Sequence, residues 1–217
     1  MGLPFSEIID YNGVLMDNTI PQILSELEMY AEENNVPIIR GPERELLLKA
    51  AALAGPDGPQ RILEIGTAIG YSALMMAEKF PKAEIDTLEI DETRHTMAET
   101  VMRRAGVSER VRCHLGDAAD VLKTLKGPYD FLYLDGPKGQ YLRELKEIEP
   151  KLSKNAVIAA DNVLFRGLVK SNGPVPHRYR TLVMRLRDYI SYVEEKYDTH
   201  IYEEGDGLSV SVPKGMT

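Results

Sequence analysis

The stretch Arg61-Ile-Leu-Glu-Ile-Gly-Thr-Ala-Ile-Gly-Tyr-Ser72 reads as an apolar strand, a glycine turn and the opening of a helix. The apolar run ends at Gly66. Beyond Gly70, residues Ala73, Leu74, Met76 and Ala77 resume apolar positions at helical spacing. A buried strand that feeds a glycine turn and then a helix brings backbone close to a ligand. Glycine removes the side chain that would block approach, and the helix start supplies N–H groups without intrahelical partners.

Outward from this stretch the chain alternates. Strand patterns fall at 61–66, 84–89, 110–115, 129–134 and 156–160, with helical patterns around 70–79, 92–105, 118–126 and 139–151 between them. Such alternation predicts an α/β fold, a mostly parallel sheet with helices on both faces. Residues 1–55 read as a helical N-terminal region. Ile20, Ile23, Leu24, Leu27 and Tyr30 form one stripe, Pro21 suits a first turn, and Glu43 to Ala54 forms a second helix. Gly55-Pro-Asp-Gly-Pro59 breaks the chain before the core at 61–217. After residue 160 the pattern changes. A helix around 177–196 leads to two strands, 200–203 and 208–212, split by Glu204-Gly-Asp-Gly207 in hairpin-like spacing. With no repeat and no second boundary, residues 1–217 are expected to form a single domain.

A chain that is 43% hydrophobic and 28% charged has a soluble globular profile. No apolar run approaches the roughly 20 residues of a membrane span. Met1 to Glu7 lacks the basic start and apolar core of a signal peptide. Gly2 with Ser6 fits the myristoylation pattern only loosely, with Pro4 between them, and reads as a chance match. Cys113 is the only cysteine, so a disulfide within the chain is excluded and a reducing, cytoplasmic setting is expected. Its place in a strand pattern suggests packing. His95 and His200 are expected at the surface, and none of the four histidines has metal spacing to another. The net charge of −8 argues against nucleic-acid binding over the whole surface. The charge is uneven, however. Val163 to Arg187 contains no acid and carries Arg166, Lys170, Arg178, Arg180, Arg185 and Arg187.

In an open parallel sheet, ligands bind beyond the carboxyl ends of the strands. Those ends are Gly66, Glu89, Asp117, Asp135 and Asp161, and four of the five carry an acid. Glu89, about 20 residues past the glycine turn, is placed to accept hydrogen bonds from ribose hydroxyls. A dinucleotide and S-adenosylmethionine both fit this pattern. The dinucleotide turn wants a glycine where Ala68 stands. Glu64 beside the turn would repel a pyrophosphate but could hold a cationic amino-acid group, which favours S-adenosylmethionine. Asp135-Gly-Pro-Lys138 and Asp161-Asn162 follow strands expected to lie side by side, about 4.8 Å apart. Two carboxylates and an amide oxygen at one rim suit a hard cation such as Mg²⁺. The plainer reading of either aspartate alone is a helix cap or turn residue.

These motifs resemble the class I methyltransferase fold, and specifically the cation-dependent O-methyltransferase family of catechol and caffeoyl-CoA type. The resemblance covers nearly the whole chain and implies a Rossmann-like, mostly parallel seven-stranded sheet with an antiparallel C-terminal strand. It implies that Glu64 and Ser72 bind the methionine end of the donor, with the backbone at Gly66 and Gly70 close by. Glu89 would bind the ribose, Asp117 and Ala118 would lie by the adenine, and Ile39 and Asp135 would reach the donor. Asp135, Asp161 and Asn162 match the family's metal ligands, and Lys138, beside Asp135, matches its catalytic lysine. Members of the family are typically homodimers, so a homodimer is expected.

An acceptor with two adjacent oxygens would chelate the cation. Catechols do so, and 5-hydroxyuridine could through its hydroxyl and carbonyl oxygens. The basic segment after the metal ligands would favour backbone phosphates, with Tyr179 able to stack on a base. A solvated helix face or a dimer contact is the alternative. Within the family, Asn35-Val-Pro-Ile38, Lys138-Gly-Gln-Tyr141, Asp161-Asn-Val-Leu-Phe-Arg-Gly-Leu-Val169 and Gly205-Asp-Gly-Leu208 resemble bacterial tRNA 5-hydroxyuridine methyltransferases. The chain departs from these in reading Asp-Gly-Pro-Lys for Asp-Ala-Ala-Lys. Its basic run is also interrupted by Tyr179 and by Thr181 to Met184. A small-molecule catechol-type enzyme and a noncatalytic adenosyl-ligand or RNA-binding protein are the other readings.

Overall fold

The computed structural model describes residues 19–216; the N-terminal Gly2–Ser6 pattern lies outside them. Two helices come first, α1 (Ile20–Glu33) and α2 (Gly41–Ala52). The core follows as β1 (Arg61–Ile65), α3 (Tyr71–Lys79), β2 (Glu84–Glu89), α4 (Glu92–Arg104), β3 (Val111–Leu115), α5 (Ala118–Thr124) and β4 (Tyr129–Leu134). The chain closes with α6 (Tyr141–Ile148), β5 (Leu152–Ala160), α7 (Arg180–Lys196), β6 (Tyr197–Tyr202) and β7 (Leu208–Pro213). The strands form one seven-stranded sheet in the order β3-β2-β1-β4-β5-β7-β6. Strands β3 to β5 pair in parallel, and β7 runs antiparallel to both β5 and β6. The Rossmann-like sheet with its antiparallel C-terminal strand is therefore as expected.

Strand alternation sorts the core into two layers. Ile62, Ile85, Phe131, Val157 and Val210 face α1 to α4, whereas Leu63, Leu88, Leu132 and Ile158 face α5, α6 and α7. Each such fully buried side chain contributes about 1.5–3 kcal/mol. The N-terminal helices are tied to the core by a three-way polar contact. Tyr71 donates to Glu28 Oε1 at 2.5 Å, and Arg44 Nη1 donates to the same oxygen and to the Tyr71 hydroxyl, both at 2.9 Å.

The boundaries differ from the sequence pattern where local chemistry is mixed. β5 starts at Leu152, four residues early, because its first half is partly exposed and reaches β4 through a register shift. The helix expected over 139–151 is an α-helix only at 141–148, flanked by 3₁₀ turns at Lys138–Gln140 and Glu149–Lys151. Pro150, which has no N–H to donate, sits in the second turn. His95 is not the surface residue expected. Its side chain is 12% exposed, and Nε2 lies 3.2 Å from the Cys113 carbonyl oxygen. His200 is exposed. Among the described residues no helix is long and apolar enough to cross a membrane.

Candidate active site

The sheet order sets the strand ends in a row: Asp117 after β3, Glu89 on β2, Gly66 after β1, Asp135 after β4 and Asp161 after β5. All five line one cleft of about 420 Å³, together with Ile39, Ala118, Lys138 and Asn162. At a strand spacing of about 4.8 Å the row spans roughly 19 Å. Gly66 has φ +110°, and a Cβ there would meet the Asp135 carbonyl oxygen at 2.5 Å. Glycine is thus required by both the conformation and the close approach of two strand ends.

Glu89 braces the turn. Its Oε2 accepts from the Ala68 N–H at 2.8 Å, and its Oε1 accepts from the Ile90 and Asp91 N–H groups at 2.9 Å. Ala68 itself has φ 47°, an uncommon conformation for a side-chain-bearing residue. Glu64 is fully buried. Its Oε2 accepts from Thr87 Oγ1 at 2.5 Å, whereas Oε1 has no partner. Burial pushes this carboxyl up to about 7, the hydroxyls of Ser72 and Thr87 oppose the shift, and the charge of Glu89 adds to it. Ser72 lies in a small recess beside the cleft with Gly66, Ala68 and Asp135. Gly70 lies outside the cleft lining. It caps α3 at φ +86° and packs so closely on α4 that a Cβ would meet the Ala98 Cβ at 3.2 Å.

Asp135 and Asp161 stand at adjacent strand ends, where the Asp161 N–H donates to the Leu134 carbonyl at 3.0 Å. Burial and the charge of Asp161 raise the Asp135 carboxyl far above the carboxylate range, against the opposing charge of Lys138. Burial also raises the Asp161 carboxyl. The Asn162 backbone and Lys138 oppose that rise, and Glu43 adds to it. An excess of buried negative charge facing one lysine fits a bound cation, and the oxygen donors fit a hard one. Among the described residues no cluster of three or more His, Cys, Asp or Glu side chains gathers as a metal site; the candidate set is two carboxylates and an amide.

The segment after these residues is strained and clamped. Asn162, Phe165 and Arg166 have φ of 55°, 39° and 57°. The turn at 204–207 holds them: Val163 N–H donates to the Gly207 carbonyl, Leu164 N–H to the Asp206 carbonyl, and Arg166 N–H to Asp206 Oδ1, at 2.8–2.9 Å. Of the six expected RNA-contacting cations, Lys170 pairs with Glu203 and Arg180 donates to the Val175 carbonyl. Arg187 donates to the carbonyls of Leu168, Val169 and Ser171. Arg166 and Arg178 lie over the Tyr179 ring at 5.7 and 4.6 Å. Arg185 reaches the Gly139 carbonyl at 3.4 Å.

Sequence reasoning missed Glu43, whose charge acts on Asp161 from α2, and Glu144. Glu144 lines the cleft at 2% exposure and is pushed up to about 7, chiefly by burial. Its signal was an acid on the apolar stripe Tyr141, Leu145 and Ile148.

An O-methyltransferase family model matches residues 21–211. The chain therefore belongs to the O-methyltransferase family and is by class an S-adenosylmethionine-dependent methyltransferase. It is 31% identical to a probable O-methyltransferase of Mycobacterium tuberculosis, over 84% of this chain and 78% of the relative. It is 36% identical to a catechol O-methyltransferase of Niastella koreensis, over 76% of each. Among solved structures it is similar to the SAH-bound Podospora anserina methyltransferase PaMTH1, with a TM-score of 0.74, 26% identity and 99% of each chain covered.

Proposed function

We propose that this enzyme methylates the 5-hydroxyl of 5-hydroxyuridine in tRNA, giving 5-methoxyuridine, with a divalent cation such as Mg²⁺ held by Asp135, Asp161 and Asn162. The observation that carries the reading is the convergence of Asp135, Asp161 and Asn162 with Lys138 at one end of a cleft whose other strand ends suit an adenosyl donor. In this reading the free Oε1 of Glu64 accepts from the donor's ammonium group, Ser72 assists it, and Gly66 lets the donor backbone approach. Glu89 has lone pairs left for the ribose hydroxyls, and Asp117 and Ala118 border the adenine. Ile39 covers the donor from the connector before α2.

A cation at the two aspartates would lower the acceptor hydroxyl's pKa and fix its orientation. Lys138, once its ammonium has lost a proton, takes the acceptor's proton. The cleft walls hold the acceptor oxygen in line with the donor's methyl carbon and sulfur, and positioning of this kind supplies much of the rate. The positive surface of Arg166 and Arg178 around Tyr179 supports an RNA acceptor. The homodimer and the cytoplasmic setting belong to the same proposal.

The 36% identity to a catechol O-methyltransferase favours a second reading, a small catechol-type acceptor. Labelled donor and Mg²⁺, with either tRNA lacking the modification or a catechol, separate the two. Label in tRNA supports the first reading, label in catechol alone supports the second, and label in neither revives a noncatalytic ligand-binding role.

A further inference from the structure

Helices α6 and α7 pack against each other and leave a groove of about 430 Å³ between their exposed edges. Its lining includes Arg143 and Lys146 from α6, and Arg185 and Asp188 from α7. Gly139 and Gln140 also line it, and Gln140 lines the catalytic cleft as well. The groove therefore begins one residue beyond Lys138.

Three cations against one carboxylate leave a surplus of positive charge on a chain whose net charge is −8. These cations have few competing partners. Among the described residues, Arg143 Nη2 is 4.0 Å from Asp117 Oδ1 and its charge also acts on Glu144, Arg185 donates to the Gly139 carbonyl at 3.4 Å, and Lys146 lies over the Tyr192 ring at 4.9 Å. Arg185 belongs to the basic segment after β5, whose Lys170, Arg180 and Arg187 are by contrast engaged away from the groove, by Glu203 and by the carbonyls of Val175 and Val169.

We infer that the α6–α7 groove binds backbone phosphates of an RNA acceptor, with Arg143, Lys146 and Arg185 as the contacts. The inference rests on the reading of the acceptor as tRNA and deepens it. Arginine forks match phosphate oxygens and the lysine adds a point charge. A strand running from the groove over the Lys138–Gln140 turn would deliver the next nucleotide to the metal-binding end of the cleft. Asp188 opposes phosphate at one wall and biases the strand towards α6.

The test is the salt dependence of binding a tRNA anticodon stem-loop, read by fluorescence anisotropy with S-adenosylhomocysteine present. Each phosphate contact contributes roughly 0.7–0.9 to the slope of log K against log salt. The triple variant R143Q/K146Q/R185Q is expected to lower the slope by about 2 to 3. Between about 50 and 200 mM salt, the affinity lost by the wild type then exceeds that lost by the variant roughly twentyfold or more. Thermal unfolding followed by circular dichroism reports folding, and the triple variant is expected to melt within a few degrees of the wild type. Arg103→Gln, an exposed cation on α4 across the sheet, serves as the charge control and is expected to leave the slope unchanged. An unchanged slope in the triple variant, or an equal drop in the control, would overturn the inference. RNA that binds through the groove but receives no methyl group would instead overturn the proposed reaction and leave the groove assignment standing.

Discussion

Glu64 ends inside β1 with one carboxylate oxygen held by Thr87 and the other without a partner. Its carboxyl is pushed up to about 7, so it is largely protonated below that pH in the ligand-free protein. The donor's ammonium group is held best by the ionised form. Affinity for S-adenosylhomocysteine is therefore expected to rise as pH increases from about 6 to 8, and Glu64→Gln to flatten the rise; calorimetry across that range checks both. Asp86 shows the opposite sign. Burial works against its ionisation, but hydrogen bonds from His114 and Tyr129 and the charges of His114 and Arg112 prevail and hold its carboxyl below the usual range. Its stabilising contribution is present above the unfolded carboxylate pKa and is lost as pH falls through the folded value. Asp86→Ala leaves the Tyr129 hydroxyl buried without its acceptor. We expect it to cost about 2–3 kcal/mol in urea unfolding at neutral pH, with a smaller difference in acid. Glu64, Glu89, Asp135 and Asp161 were legible in the sequence because an acid closing or interrupting an apolar strand is conspicuous. Glu144 was passed over although it lies on the apolar stripe of its helix, because it sits inside a helix rather than at a strand end.

At the scale of elements, the clamp between the 162–167 segment and the 204–207 turn is the feature that sequence could not join, since Arg166 and Asp206 are 40 residues apart. Both halves stood out as motifs; their contact needed β7 to lie beside β5. Three side-chain-bearing residues at positive φ cost of order 1–3 kcal/mol each, and the clamp offsets this strain next to Asn162. A Cβ at Gly207 would meet the Leu164 Cγ at 2.5 Å. Gly207→Ala and Asp206→Ala are therefore expected to lower kcat for acceptor methylation about tenfold or more, with S-adenosylhomocysteine affinity nearly unchanged. An equal loss in both measurements would show instead that the clamp only supports the fold. The strand and helix alternation was legible throughout the core. Boundaries slipped at β5 and α6, where exposed polar residues and Pro150 blur the apolar period.

At the scale of the molecule, the sheet order turns separate strand-end motifs into one cleft, running from Asp117 to Asp161. The order β3-β2-β1-β4-β5 sets the carboxyl ends of the parallel strands side by side, and the rule that ligands bind beyond those ends, with the family resemblance, is why the donor and metal residues could be grouped before the fold was known. The grouping of the α6–α7 groove cations could not be read in advance. Lys170, Arg180 and Arg187 of the basic segment are engaged by groups of the chain itself although exposed, while Arg143 and Lys146 come from a helix whose overall charge is unremarkable. A homodimer is expected in solution, and sedimentation equilibrium giving twice the 24.3 kDa chain mass checks it; the monomer mass would contradict it. The most direct test of the account is methyl transfer from labelled S-adenosylmethionine to tRNA containing 5-hydroxyuridine, with Mg²⁺ present, by the wild type and by Asp161→Ala. We expect label in 5-methoxyuridine with the wild type, and loss of about a hundredfold or more on substitution. Full labelling by Asp161→Ala, or transfer to a catechol with none to tRNA, would contradict it.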